Sequence, residues 1–150
     1  MPHRKLHGEK LAAHLLTLNS DFAACREFLQ MLPTPAWILD DRARFMFINP
    51  VAKRFFRLKQ DAIGLTALDL HLVSPSQLAE IKRTIHALRR SHRSIVSFRE
   101  FNFEHEPTMR FSVLRFPIWS NHDAFFAGAI AVPHREPVIT LQLQAVTSVT

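Results

Sequence analysis

Between Leu39 and Phe56 the local signals change from strand to turn to strand to helix, and few small folds accommodate that succession. Trp37-Ile38-Leu39 is a short apolar run and Asp40-Asp41 is a turn signal. Phe45-Met46-Phe47-Ile48 is a second aromatic and β-branched run, so the pair predicts a hairpin. A helix follows without a linker. Asn49 can cap it with its side-chain oxygen, and Pro50 at the first helical position gives up an N–H that would have lacked a partner anyway.

Further along, Ser74-Pro75-Ser76-Gln77 is a capping box: Ser74 can accept from the backbone of Gln77, Gln77 can reach back, and Pro75 takes the first helical position. The helix it opens is expected to run to about Arg90. Leu78, Ile81, Ile85 and Leu88 make its apolar stripe, while Lys82, Arg83, His86, Arg89 and Arg90 fall on another face. Three strand-like runs come next, Ser94 to Phe103, Met109 to Trp119 and Ala124 to Val132, separated by His105-Glu106-Pro107 and Ser120-Asn121-His122-Asp123. Short polar turns between consecutive strands predict an antiparallel meander. In the middle run Met109, Phe111 and Val113 alternate with Arg110, Ser112 and Leu114, the pattern of a sheet with one buried face. The expected class is α+β, a five-stranded antiparallel sheet with short helices packed on one face and an N-terminal amphipathic helix.

This order, with Ile63-Gly64-Leu65-Thr66-Ala67-Leu68-Asp69-Leu70 after the first helix, resembles a PAS domain, a small sensory and dimerisation module of signalling proteins. Asn49, Pro50, Gly64, Asp69 and Leu70 occupy the places of that family's strand–helix junction and Gly-x-x-x-x-Asp-Leu segment. The family's usual glycine in the first turn is absent, with Arg42-Ala43 in its place, so that turn must differ in type or length. The resemblance divides the chain into an N-terminal segment, residues 1–32, a PAS-like domain, 33–134, and an exit segment or linker, 135–150. It also implies an effector domain, DNA-binding or kinase, elsewhere in a longer protein.

Leu11, Leu15, Leu18, Phe22, Cys25, Leu29 and Leu32 recur alternately four and three residues apart, a heptad stripe that Pro33-Thr34-Pro35 ends. Such a stripe either covers the domain's own core or pairs two subunits, and Asn19-Ser20-Asp21 could split it by starting a new helix. Leu11, Leu15, Leu18, Phe22 and Leu29 are the candidate dimer contacts, giving a homodimer through the N-terminal helix. In the tail, Ile139, Leu141, Leu143 and Ala145 alternate with Thr140, Gln142 and Gln144, as in a sixth strand or an exit segment.

The formal charge of +6 permits attraction to anionic partners. Lys82, Arg83, Arg89, Arg90 and Arg93 concentrate much of it, but no nucleic-acid motif accompanies them, and a solvated helix face is the expectation. No apolar run has the length of a membrane span, and the lone Cys25 fits a reducing compartment, which makes the expected location cytoplasmic. Three glycines leave no material for a phosphate-binding loop.

What the resemblance implies about ligands can be tested residue by residue. Flavin photosensors of the family carry a cysteine on a helix within the domain, whereas Cys25 lies upstream of it. A haem-binding branch uses a histidine on the helix that begins at Ser76 here. His86 is the one histidine on it, but it is turned about 120° from the apolar stripe, among arginines, and a solvated side chain is expected; His71 is the weaker alternative. Phe45, Phe47, Phe55, Phe56, Phe98, Phe111 and Phe126 supply either a packed core or the lining of a pocket for a small apolar ligand. An enzyme of the ketosteroid-isomerase cone type is the reading from another class, but it needs an oxyanion donor such as Tyr, and the chain has none. The expectation is a sensor and dimerisation domain, without catalysis, cofactor or metal. In it a ligand alters packing between the sheet and the Ser76–Arg90 helix, and the change leaves through the last strand and the Pro137 tail.

Overall fold

In the computed structural model, residues 22–101, 108–120 and 124–133 are described. They form α1 (Phe22–Gln30), β1 (Ala36–Asp40), β2 (Phe45–Ile48), α2 (Pro50–Phe55), α3 (Pro75–Ser91), β3 (Ile95–Phe101), β4 (Met109–Trp119) and β5 (Phe125–Pro133). The five strands make one antiparallel sheet in the order β2-β1-β5-β4-β3. The chain thus closes its first hairpin onto its last strand, and β1 and β5 become central. The predicted strands appear with small changes of bounds, and the predicted class holds. Both predicted connections of the meander, apart from Ser120, and the alternating tail lie outside the described residues.

The first turn shows how the chain manages without glycine. Asp40 Oδ1 accepts from the backbone N–H groups of Arg42 and Arg44, both at 2.9 Å, and Ala43 donates to the Asp40 carbonyl at 3.1 Å. Ala43 takes the left-handed conformation, φ 63°, that glycine would adopt without penalty. The Asp40 side chain therefore fixes a turn that alanine disfavours, and its Oδ2 is also held by Arg44 Nε at 2.7 Å.

Asn49 caps α2 as its position predicts, accepting from the Ala52 N–H at 2.8 Å, but it does more than that. The same Oδ1 accepts from the Ala36 N–H at 3.1 Å, while Nδ2 donates to the Leu29 carbonyl at 3.0 Å and the Thr34 carbonyl at 2.8 Å. One fully buried amide thus ties the end of α1, the following loop, the start of β1 and the start of α2. The α3 capping box forms in full, with Gln77 N–H to Ser74 Oγ at 3.2 Å and Ser74 N–H to Gln77 Oε1 at 2.8 Å. Its stripe of Leu78, Ile81, Ile85 and Leu88 is buried, and His92 ends the helix in the left-handed conformation.

Parity along the strands divides the apolar residues between two faces. Trp37 and Leu39 of β1, Phe111 and Val113 of β4, and Ala127, Ala129 and Ala131 of β5 face α2, α3 and the 56–73 connection. Ala36 and Ile38, Phe116 and Ile118, and Ile130 face α1, with Cys25 and Leu29 inserted among them. One buried face was expected of β4; its second half is buried on both. The short helices α2 and α3 share one face as expected, and the N-terminal helix α1 takes the other. Leu29, a candidate dimer contact, is fully buried in its own domain, and Phe22 packs against Phe126 with ring centroids 4.8 Å apart. Leu11, Leu15 and Leu18 lie outside the described residues. Among the described residues no helix is long and apolar enough to cross a membrane.

Candidate ligand-binding site

The face toward α2 and α3 is not filled. A cavity of about 450 Å³ lies between the sheet, the 56–73 connection and the start of α3. Its apolar lining includes Trp37, Leu39, Phe45, Phe56, Ile81 and Val113. Strand register explains part of the hollow. Ala129 lies between Trp37 and Arg115, and Ala127 between Leu39 and Pro117, so β5 is the low middle of the face and its neighbours stand as walls.

The far wall depends on the Gly64 segment. Gly64, at φ 86°, donates to the Phe45 carbonyl at 2.7 Å, and Phe45 donates to the Leu65 carbonyl at 2.8 Å, which holds the segment along β2. Thr66 and Asp69 then bond reciprocally, Thr66 N–H to Asp69 Oδ2 at 2.9 Å and Asp69 N–H to Thr66 Oγ1 at 3.2 Å. These bonds to Thr66 hold the Asp69 carboxyl below its ordinary range. The turn they close carries Ala67, Leu70, His71, Leu72 and Val73 into the lining.

Polar groups also reach the cavity: Arg57, His71, Gln77, Arg99, Glu100 and Arg115. Arg99 Nη1 is 3.1 Å from Glu80 Oε2, and Glu100 Oε1 is 3.1 Å from Arg110 Nε. Arg115 differs from both. It is 3% exposed, and its Nε and Nη1 have no hydrogen-bond partner among the described residues. Burial first, and the positive charge of Arg99 second, push its pKa down to about 10, so it remains a cation at neutral pH.

Of the seven phenylalanines proposed from sequence, Phe45 and Phe56 line the cavity. Phe55 and Phe111 stack edge-to-face on each other, centroids 4.7 Å apart, within the same core. Phe47 and Phe126 pack on the opposite face, against the cluster around α1. Phe98 is 76% exposed on the edge strand and is not part of the cavity lining. His86 is exposed on α3, in a shallow groove with Lys82, Arg83 and Arg90, while His71 is the histidine at the cavity. Cys25, the chain's single cysteine, is buried across the sheet from it. Among the described residues no cluster of His, Cys, Asp and Glu could hold a metal ion. Sequence reasoning passed over Arg115, yet a signal was present: a cation at the inward parity of Phe111 and Val113, on an otherwise apolar face of the strand.

No family model and no curated protein matches the sequence. Solved structures do match by shape. The PAS domain of Bordetella pertussis BvgS superposes with a TM-score of 0.65 at 15% identity, covering 85% of this chain and 97% of that one. VqmA bound to DPO superposes at 0.63 and 13% identity, covering 73% of this chain and 56% of the other, so the match spans about half of that protein. A further VqmA structure identifies the organism as Vibrio cholerae and the protein as a dimer. The LOV protein of Rhodobacter sphaeroides gives 0.57 at 11% identity, over 77% and 69% of the two chains. Strand order, the Asn49 junction, the Gly64 segment and these superpositions agree: the described residues have the fold of a PAS domain.

Proposed function

We propose that this chain is the sensory domain of a regulatory protein and that it takes a small molecule into the cavity between the sheet and α3. The observation that carries the reading is the hollow itself. Its volume falls in the range of small-molecule sites, roughly 300–1,000 Å³, on a sheet whose other face is closely packed. VqmA, a structural neighbour, is described as bound to DPO and as part of a ligand–DNA complex, which supports a small ligand and a DNA-binding effector for a longer form of this protein. Occupation of the cavity would change how α3 sits on β4 and β5, and Asn49 provides a path to α1. A homodimer through the N-terminal helix belongs to the same reading, with Leu29 excluded from the contact because it is buried internally. The chain itself carries out no catalysis in this scheme, and its place is the cytoplasm.

The test is mass spectrometry of small molecules released from the purified protein, beside the Ala67→Phe variant, which adds a ring to the cavity wall. A molecule recovered with the native chain and lost from the folded variant supports the reading. Equal recovery from both, or none from either together with no thermal shift in a small-molecule screen, would overturn it. A Soret band after haem supplementation would instead point to His71.

A further inference from the structure

A buried guanidinium whose Nε and Nη1 lack partners among the described residues is costly, because its charge has left water and those two hydrogen bonds have not been replaced. The other described residues on its face of β4 are Met109, Phe111, Val113, Pro117 and Trp119, any of which shows what a merely structural position would hold. The nearby carboxylates do not compensate Arg115. Glu80 is taken by Arg99 and Glu100 by Arg110, both pairs at 3.1 Å, and each carboxylate is more than half exposed. Arg99 adds to the positive field at Arg115, and Arg57 lines the same space. The cavity therefore combines an apolar lining with a surplus of positive charge centred on one buried group.

From this we infer that the ligand is a small organic carboxylate with an apolar body, its carboxylate received by Arg115 and its body lying against Trp37, Leu39, Phe56 and Val113. A carboxylate suits the site for two reasons. Its single charge matches that of the buried Arg115 guanidinium, and its two oxygens match the planar donors of that group in a way that lysine would not reproduce. The apolar lining rejects a fully polar acid, because those walls cannot satisfy its hydroxyl groups. The inference rests on the proposal that the cavity is the ligand site, and it adds the chemical class.

The experiment uses the full chain with benzoate, phenylacetate and octanoate as probes and the methyl ester of each as the neutral counterpart, followed by thermal shift and titration calorimetry. At least one acid is expected to raise Tm by several degrees at millimolar concentration while its ester does so weakly. Arg115→Met should weaken that acid at least tenfold with a ligand-free Tm equal to or above the native one, and Arg115→Lys should fall between. Esters binding as well as acids, or Arg115→Met binding acids like the native chain, would overturn the carboxylate assignment and leave the cavity proposal standing. Failure of acids and esters alike counts against both. A ligand-free Tm that drops by several degrees in Arg115→Met and recovers in Arg115→Lys would show that the chain pairs this cation internally, which also ends the proposal.

Discussion

The two faces of this sheet are built from the same strands, and only one is filled. Toward α1, Cys25, Leu29, Ile38, Phe116, Ile118 and Ile130 are each at most 1% exposed, and Gly128 lacks a side chain because the Phe116 ring occupies the place where its Cβ would stand. Toward α3, residues one position away in sequence surround a cavity of about 450 Å³, and in its wall Arg115 Nε and Nη1 have no hydrogen-bond partner among the described residues. The packed face gives the fold its stability, and the hollow face gives up part of that stability to hold a site. The faces are not independent, because Asn49 joins α1 on one side to α2 on the other.

The largest effect is expected at that junction. Asn49→Ala removes four hydrogen bonds and leaves the Leu29 and Thr34 carbonyls and the Ala36 and Ala52 N–H groups without their partner. At about 1 kcal/mol or slightly less per bond, the loss is about 3 kcal/mol, read as a lower denaturant midpoint. Hydrogen exchange should rise in α1 and α2 together; a rise confined to α2 would mean that Asn49 is only a cap and that the faces are uncoupled.

The contrast between the faces can be measured with one carbon added to each. Gly128→Ala places a methyl group into the Phe116 ring and should cost about 2–3 kcal/mol, because the ring and the neighbouring strands must shift. Val113→Ile adds the same volume at the cavity wall and should cost less than about 1 kcal/mol. Equal costs would mean that the hollow closes in solution.

Arg115 should behave in the opposite sense. Replacing a buried, unpaired cation by Met is expected to stabilise the ligand-free chain by about 1–3 kcal/mol. Its pKa is pushed down to about 10 from the ordinary arginine value, so below pH 10 both folded and unfolded chains hold the proton and the burial penalty is fully present. Above pH 10, up to the ordinary arginine range, the folded chain releases the proton first, and stability attributable to this group rises with pH. The advantage of Arg115→Met over the native chain should therefore shrink across that window in urea titrations. An advantage that is constant with pH would place the guanidinium outside the low-dielectric wall.

Most of the architecture was legible because its signals are local. The Asn49-Pro50 junction, the Ser74 capping box and the α3 stripe each depend on residues a few positions apart, and all three formed as expected. What was hidden depends on pairing between distant strands. The heptad through Cys25 and Leu29 has the same spacing whether it meets a second subunit or its own sheet, and only the closure of β1 onto β5 creates the surface that receives it. The phenylalanines scattered for the same reason: parity assigns each to a side, but which side is hollow follows from the alanines of β5 and the register beside them. Even the missing glycine of the first turn was a local fact with a local remedy, the two backbone bonds that Asp40 Oδ1 accepts.

Phe98 gives the smallest expected effect and the sharpest check on the simple division into two faces. Strand parity puts it with Val96 on the α1 side, but the apolar contacts of α1 are with β1, β4 and β5, and β3 at the sheet edge is left out. Phe98 is 76% exposed, Val96 60% and Val132 49%, so a polar substitution at Phe98 removes little buried area. Phe98→Ser should change stability by less than about 0.5 kcal/mol, as is usual for surface positions, and should leave ligand-induced thermal shifts as they are. A loss above about 2 kcal/mol is the size expected for burying an aromatic ring. That outcome would mean the edge of the packed face is covered in solution, and sedimentation of the variant would then distinguish cover by a second copy from cover by the chain's own remaining residues.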